Sequence, residues 1–162
     1  MRTVLFFTFS LTLLFYSGCG GVGGSGRPAD MPATYPVGIT VTQGGTALQE
    51  ASVTLTAKTP AQYGVSSGQT DARGVAALRT YGFDGVPEGQ YTVTVSKQGV
   101  EGAKEATDAD GNTYQTGGKV YGYVDSQYSK TDTSPLNIDV TKKGATETFE
   151  VGAPVHVFIS DN

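Results

Sequence analysis

Apolar and polar residues alternate with a period of two through much of the chain after residue 35. The apolar positions of the clearest runs are Val37, Ile39 and Val41; Val53, Leu55 and Ala57; Ala76 and Leu78; Tyr91, Val93 and Val95; Leu136, Ile138 and Val140; Phe149 and Val151; and Val155, Val157 and Ile159. Such alternation is typical of strands with one buried and one solvated face. No window of ten or more residues after the first 19 keeps a helical period, so the pattern predicts an all-β protein.

Turn residues separate these runs at short intervals. They are the segments 44–45, 71–74, 87–89 and 142–144, which are rich in Gly, Asp, Pro and Lys. Gly74 and Gly89 are expected to supply positive-φ positions, and Asp71 is expected to cap its turn with the side-chain carboxylate. About seven short antiparallel strands with this spacing predict a single β-sandwich.

The composition narrows the function classes. The 162 residues suit one domain, and the 23 glycines oppose a helical fold. A single Cys excludes an internal disulfide, so the apolar core must stabilise the fold without covalent help. A net charge of −4 argues against nucleic acid as a partner. The sequence indicates neither a metal nor another cofactor.

The first residues form an export signal. Arg2 precedes an apolar run over residues 4–15, which is too short for a permanent bilayer-spanning helix and fits a secretory signal. Ser17, Gly18, Cys19 and Gly20 follow this run. That sequence resembles a bacterial lipoprotein signal, in which a peptidase cuts just before a Cys that receives diacylglycerol. The alternative is an ordinary secretory signal that is cut nearby.

The lipoprotein interpretation gives the chain three parts. Residues 1–18 are the signal peptide, residues 19–34 are the lipidated Cys19 with a Gly-rich tether, and residues 35–162 are the β-sandwich. Attachment of several acyl chains anchors a protein stably to a membrane. The similarity to known sorting signals, with Gly20 rather than Asp after Cys19, implies the outer membrane of a Gram-negative bacterium.

Three segments carry a family resemblance. Residues 41–55 end in an A-x-V-x-L strand, residues 70–78 contain a T-D-x-x-G turn, and residues 86–95 read P-x-G-x-Y-x-V-x-V. In this order they resemble the carboxypeptidase regulatory-like domain, a transthyretin-like β-sandwich. The resemblance implies the fold and is poorly specific for function, since a fold does not fix an activity.

The segment from residue 98 to residue 127 is long for a strand connection and rich in Gly and Tyr, so it is a candidate for ligand contacts. The candidate contact residues there and just beyond are Asp108, Asp110, Tyr114, Tyr121, Tyr123 and Tyr128. Exposed aromatic side chains stack on sugars or serve as binding hot spots. If four of these tyrosines share one exposed platform near Asp or Asn, glycan binding is favoured; scattered or buried tyrosines favour a structural role.

The sequence gives little support for metal binding or for hydrolase activity. Asp108, Asp110 and Asn112 have calcium-loop spacing, but Lys119 occupies the twelfth position, where an acid is required. His156 is predicted to lie alone on the outer face of the last strand. No G-x-S-x-G motif supports a hydrolase.

Adhesin relatives of the resembled family imply one further possibility, a Lys–Asn isopeptide bond, for which Lys58 and Asn137 are the available pair.

The sequence thus favours a non-enzymatic cell-envelope lipoprotein with a structural or protein-interaction β-sandwich. Its expected partners are the membrane, through the lipid anchor, and an unidentified envelope protein or glycan. The alternative is a carbohydrate-binding module that uses the Tyr and Asp residues of the 98–127 segment and its flank. No residue is assigned a catalytic role.

Overall fold

The structure is a computed structural model that describes residues 26–161, so the predicted signal peptide and Cys19 lie outside the described residues. This range holds seventeen strands and one short helix. In chain order they are β1 Thr34–Tyr35, β2 Val37–Gln43, β3 Thr46–Ala47, β4 Ser52–Ala57, β5 Val65–Gln69, β6 Val75–Ala77, β7 Arg79–Thr80, β8 Phe83–Asp84, β9 Val86–Pro87, β10 Gly89–Ser96, β11 Gln98–Glu101, β12 Lys104–Thr107, β13 Thr113–Thr116, β14 Lys119–Gly122, α1 Ser126–Ser129, β15 Asn137–Val140, β16 Ala145–Glu150 and β17 Val157–Asp161.

Two sheets face each other and form the predicted β-sandwich. One has the strand order β15-β10-β4-β5-β7-β8, and the other has β16-β2-β3 with β6 also paired to β2. The residues that alternation assigns to the inside do face the core, including Ile39 on β2, Leu55 on β4 and Val93 on β10, all fully buried. The all-β sandwich predicted from the period-two pattern is therefore confirmed.

The pairing differs from the prediction in one respect. β2 and β16 run parallel, with Val37 beside Ala145 and Thr42 beside Glu150, whereas every strand had been expected to pair antiparallel. A parallel pair needs a long crossover between its strands. Here the crossover is most of the chain, because the other sheet and the 98–127 segment lie between β2 and β16.

The carboxylate of Glu150 secures the end of this parallel pair. It accepts hydrogen bonds from the backbone N–H groups of Gly44 at 2.7 Å and Gly45 at 3.3 Å, and from the Thr42 hydroxyl at 2.7 Å. The Thr42 hydrogen bond, followed by those from backbone N–H groups, lowers the pKa of Glu150. The β2–β3 turn is thereby attached to the last strand of its own sheet.

The 71–74 turn has the geometry that its sequence predicts. The Asp71 carboxylate accepts from the backbone N–H groups of Arg73 and Val75, both at 2.9 Å, and these bonds hold its pKa below the ordinary value. Gly74 has φ +75°, and a Cβ there would lie 2.6 Å from the Val41 carbonyl oxygen. Both the predicted cap and the predicted glycine role at this turn are confirmed.

A third sheet extends from the sandwich, and we call it the added sheet. Its strand order is β11-β14-β17, and the hairpin β12–β13 projects between β11 and β14. A single residue, Lys97, separates the end of β10 from the start of β11, so the added sheet is built on the continuation of a core strand. The 98–127 segment, expected to be a long loop, therefore contains four strands.

The last strand is the clearest error of the sequence prediction. The run Val155, Val157 and Ile159 was assigned a buried face in the sandwich, but all five residues of β17 are exposed. Alternation reports only that a strand has two chemically different faces, and it carries no information about which sheet the strand joins. β17 pairs instead with β14.

A buried hydroxyl joins two loops of the sandwich. Thr70 is buried; its Oγ1 donates to the Leu48 carbonyl at 2.6 Å and accepts from the Ala51 N–H at 2.8 Å. These bonds hold the segment before β4 against the end of β5. Since no disulfide is possible in a chain with one Cys, such contacts supplement the apolar core.

We expect Thr70→Val to lower the free energy of unfolding by about 1–3 kcal/mol, because it leaves the Ala51 N–H and the Leu48 carbonyl without a buried partner. Urea denaturation followed by circular dichroism measures the change. The matched control is Thr56→Val on the half-buried outer face of β4, which should change stability by no more than about 0.5 kcal/mol. Equal effects of the two substitutions would contradict the assigned role of Thr70.

Candidate functional site

The added sheet brings five polar and aromatic side chains together on one face, and we call this group the Glu101 cluster. Its members are Glu101, Tyr121, Tyr123, His156 and Phe158. They come from β11, β14 and β17 and from the residues directly after β14 and before β17. The cluster is therefore assembled by strand pairing and not by one local motif.

Glu101 is the polar centre of the cluster. The Tyr123 hydroxyl donates to Glu101 Oε1 at 2.8 Å, and His156 Nε2 lies 3.0 Å from the same oxygen. An ionised carboxylate only accepts hydrogen bonds, so His156 carries a hydrogen on Nε2 in this arrangement. The bond from Tyr123, and then that from His156, lowers the pKa of Glu101, while the pKa of Tyr123 is raised by its bond to Glu101.

Three rings pack beside this carboxylate. The His156 ring is stacked on Tyr121, with centroids 4.1 Å apart and planes 14° from parallel. Phe158 packs edge-on against Tyr121, with the ring centroids 6.0 Å apart and the ring planes at 71° to each other. Lys119 Nζ lies 5.9 Å from the centre of the Phe158 ring, a cation–π distance. The face therefore offers aromatic surface with one carboxylate and one ammonium at its margins.

Strand register explains why these residues meet. In β11 and β14, Gly99 pairs with Tyr121 and Glu101 pairs with Lys119, so these four positions share one face. Gly99 leaves room for the Tyr123 ring, because a Cβ at that position would lie 3.0 Å from Tyr123 Cε2. On β17 a register shift opposite Val120 and Tyr121 aligns Phe158 with Tyr121.

The structure separates the four tyrosines named from the sequence. Tyr121 and Tyr123 belong to the Glu101 cluster, whereas Tyr114 is exposed on β13 of the projecting hairpin. Tyr128 lies on α1, partly buried against the sandwich core. The single platform of four tyrosines, which would favour glycan binding outright, is therefore not formed.

Asp108 and Asp110 lie at the tip of the β12–β13 hairpin. The Asp108 carboxylate accepts from the backbone N–H groups of Asp110 at 3.0 Å and Asn112 at 2.8 Å, and from the Asn112 side-chain amide at 3.1 Å. The Asn112 contacts lower the pKa of Asp108. Its oxygens thus order a turn, and no group of three or more His, Cys, Asp or Glu side chains with metal-site geometry occurs in residues 26–161.

Lys58 and Asn137, the available pair for an isopeptide bond, lie on the surface. Lys58 and Asn137 line the same shallow depression of about 150 Å³ with Asp139. Asn137 is exposed, and its side-chain amide donates to the Pro135 carbonyl at 2.9 Å.

Three members of the cluster were not predicted from the sequence to lie together: Glu101, His156 and Phe158. His156, predicted to stand alone, precedes β17 and contacts a carboxylate and two tyrosines. Glu101 lies 55 residues before it, so no spacing rule links them. The available signal was the unusual content of the final segment, where the single His stands among Val155, Val157 and Phe158.

A second aromatic region lies at the opposite end of the sandwich. A cavity of about 740 Å³ is lined by Tyr35, Tyr63 and Tyr91 among other residues. The Tyr63 hydroxyl donates to Asp30 at 2.9 Å, and burial, followed by this hydrogen bond, raises the pKa of Tyr63. Tyr91 is buried, as its position at the start of a core strand predicts. This end of the domain receives the chain from the predicted tether.

The cluster is suited to binding. Its side chains supply stacking surface and a hydrogen-bond acceptor, and the neighbouring Lys119 supplies a cation. Glu101 and His156 are each 51% exposed at the side chain. Within the described residues, His156 hydrogen-bonds with Glu101 and not with a serine. Aromatic faces beside a carboxylate are chemistry that recognises a protein surface or a polyhydroxylated ligand.

We expect Tyr123→Phe to raise the pKa of Glu101 toward its ordinary value, because the substitution removes the hydroxyl that donates to Oε1. NMR titration of the Glu carboxyl carbons measures this directly. Tyr114→Phe, on the separate hairpin, should leave the Glu101 titration unchanged. An unaltered Glu101 pKa in Tyr123→Phe would show that the hydrogen bond is absent in solution.

The lowered pKa of Glu101 also determines how the stability of the fold changes with pH. A carboxyl whose pKa is lower in the folded state stabilises the fold above its unfolded pKa, and that stabilisation is lost as the pH falls through the folded pKa. Wild-type protein should therefore lose more stability than Tyr123→Phe on acidification below the ordinary Glu range.

Comparison with known proteins adds one distant likeness. No protein-family model and no curated protein matches this chain. Among solved structures, the crystal structure of BcpA*(D312A), the major pilin subunit of Bacillus cereus, aligns with a TM-score of 0.41 and 18% sequence identity. The alignment covers 74% of this chain and 30% of the pilin chain. Within residues 26–161, no helix has the length and apolarity that a bilayer span requires.

Proposed function

We propose that the chain is a cell-envelope lipoprotein whose β-sandwich, of the carboxypeptidase regulatory-like type, serves as a non-enzymatic structural or protein-interaction module. The added sheet is its interaction surface. The observation that carries this proposal is the distribution of exposed apolar side chains. Of the seven exposed large hydrophobic side chains in residues 26–161, four lie on the added sheet, namely Val100, Val157, Phe158 and Ile159, each about half exposed. The other three, Val65, Tyr81 and Tyr114, are spread over three other segments.

Both faces of the added sheet contribute to this surface. Phe158 lies with the Glu101 cluster, whereas Val157 and Ile159 lie on the opposite face, beside Gly122. The same opposite face borders a groove of about 190 Å³ that includes Ser126 and Ser129 of α1. Contiguous exposed apolar residues with polar neighbours are typical of protein-interaction sites.

The lipid anchor is supported by the sequence around Cys19. The chain has one Cys, and it follows directly after an apolar run and two small residues, where lipoprotein processing acts. From Cys19 to Asp30, where the first described contact with Tyr63 forms, a fully extended chain spans at most about 40 Å. The sandwich would therefore remain close to the membrane surface.

We expect Cys19→Ser to release the protein from the membrane fraction, because serine removes the thiol that accepts the acyl group. Fractionation of cells, together with metabolic labelling by a radioactive fatty acid, measures both consequences. The matched control is Gly24→Ser, which also places a serine in the predicted tether and should remain membrane-bound and labelled. A Cys19→Ser protein that still incorporates the fatty-acid label would disprove the lipid anchor.

A carbohydrate-binding role is the second candidate, and the Tyr121–His156 stack beside Glu101 favours it. Aromatic faces stack on the apolar face of a sugar ring, and a carboxylate accepts from sugar hydroxyls. The proposed ligand surface would be smaller than the four-tyrosine platform, because Tyr114 and Tyr128 lie elsewhere.

For this second candidate, we expect Tyr121→Ala to abolish retention of the protein on immobilised cell-wall glycan, because it removes the stacking surface. Tyr114→Ala is the control, since Tyr114 is exposed on the same extension but outside the cluster. Affinity electrophoresis through glycan-containing gels measures retention. Absence of retardation of the wild-type chain, or equal loss in both variants, would reject the glycan role.

A further inference from the structure

A cavity lies at the end of the sandwich that receives the predicted tether, and we call it the Tyr63 cavity. Its volume of about 740 Å³ is in the usual range for sites that bind small molecules. Its wall is formed by the segment before β1, the connection between β4 and β5, and the start of β10. Three separate segments of the chain therefore enclose one space.

Small residues create this space, and backbone hydrogen bonds fix its wall. Ala57, Ala61 and Gly64 all line the cavity. The Gly64 N–H donates to the Ala61 carbonyl at 3.1 Å, and the Ala57 N–H donates to the Gly64 carbonyl at 2.7 Å. A Cβ at position 64 would lie 3.0 Å from the Ala57 Cβ, so glycine allows the loop to close. The cavity is therefore preformed, as ligand sites usually are.

Tyr81 supports the wall in a strained backbone conformation. Tyr81 and Gly82 form the two-residue loop between β7 and β8, with φ +51° and +86°. Such a loop favours Asn or Asp at its first position, and a bulky residue at positive φ is rare. The Tyr81 hydroxyl donates to the Gln62 carbonyl at 3.2 Å, and its ring packs edge-on against Tyr63, with centroids 5.3 Å apart. The strained residue thus holds two residues of the cavity wall, and strain of this kind is typical of functional sites.

The cavity wall carries two carboxylates and no cation. Asp30 and Glu88 are exposed there, and none of the described residues that line the cavity is Lys, Arg or His. Asp30 Oδ1 accepts from the Tyr63 hydroxyl at 2.9 Å, which leaves Oδ2 available to a further donor. The Glu88 carboxylate has neither a hydrogen bond nor an ion pair within residues 26–161. This charge distribution favours a positively charged ligand.

The cations that adjoin the wall in the sequence are placed elsewhere. The Arg27 guanidinium donates to the Pro32 carbonyl, and Lys58 lies in the separate shallow depression beside Asn137. Over the part of the chain that the structure describes, neither cation forms an ion pair with a carboxylate of the cavity. The two carboxylates are therefore not neutralised by the protein itself.

We propose that the Tyr63 cavity binds a small aliphatic amine, with its ammonium group at Asp30 and Glu88 and its hydrocarbon stem against the apolar wall. An ammonium group offers only hydrogen-bond donors and the carboxylates offer only acceptors, so the two are complementary. The stem would contact Ala33 and Pro87, which line the cavity beside the carboxylates. This site is separate from the Glu101 cluster, so it adds an activity to the proposed interaction surface.

Three probes of equal chain length separate charge recognition from apolar burial, namely pentylamine, pentanol and pentanoate. Isothermal titration calorimetry on the full-length chain, purified in a detergent with uncharged head groups, measures their affinities. We expect pentylamine to bind saturably and about tenfold more tightly than pentanol, and pentanoate not to bind. NMR amide shifts should occur at Gly64 and Gly89, which line the cavity. Equal affinities for pentylamine and pentanol, no saturable binding of pentylamine, or tighter binding of glucose overturns the proposal.

Substitution of the carboxylates tests where the ammonium group binds. Asp30→Asn and Glu88→Gln should each weaken pentylamine binding by about tenfold, because each removes a charged hydrogen-bond acceptor. Asn at position 30 retains an oxygen that accepts from the Tyr63 hydroxyl, so the wall should stay intact. The matched control is Glu147→Gln, which removes the same charge from the exposed surface of β16 and should not change the affinity. Equal weakening by all three variants would indicate diffuse attraction and overturn the site.

Tyr81→Asn tests the positioning role of Tyr81. Asn tolerates positive φ, so the free energy of unfolding should be unchanged or raised. Pentylamine should nevertheless bind about fivefold more weakly, because Gln62 and Tyr63 lose the side chain that holds them. A purely structural role of Tyr81 would alter the stability and leave the affinity unchanged, and that result overturns its assignment to the site.

Discussion

The fold depends on strand β2, which is paired with other strands along both of its edges and is buried on its inner face. Val37, Ile39 and Val41 point into the core, while one edge pairs with β16 and the other with β6 and β3. The partners β3 and β6 lie in the first half of the domain and β16 lies near its end, so the complete pairing of β2 requires nearly the whole domain. In a chain with one Cys, this long-range packing takes the place that a disulfide holds in many small exported domains. Gly144, at φ +82° against Pro36, and the Glu150 carboxylate complete the closure.

The features that the sequence predicted well are those determined by residues close together in the chain. The alternation in β2, β4, β10 and β15 located the inward residues correctly, because burial of one face produces a period of two regardless of which strands pair. The turn at Asp71 was predictable for the same reason, since the carboxylate and the N–H groups that it caps lie within four residues. The parallel alignment of β2 with β16 was not predictable, because the alternation within a strand carries no information about the direction of its neighbour.

The site could be predicted only in part. Tyr121 and Tyr123 were found because a Gly- and Tyr-rich segment between strands suggests contacts, but Glu101 and His156 are joined across 55 residues by strand pairing. Tyr128 was misleading for a physical reason: an aromatic residue in a polar segment serves equally well as an anchor onto the core, and α1 packs it there. The misplacement of β17 has a related cause. Its apolar residues suit burial, yet the strand pairs with β14 in the added sheet, which leaves its side chains exposed.

The predicted anchor limits where the added sheet could act. A chain attached through Cys19 would hold its sandwich within about 40 Å of one membrane surface, a thin layer in which the effective concentration of the domain is raised. The chain reaches the sandwich beside Tyr63, near the start of β10, whereas the added sheet continues from the end of β10. The exposed Val157, Phe158 and Ile159 therefore lie at the end of the sandwich away from the predicted tether, where they are accessible to a partner in the same layer.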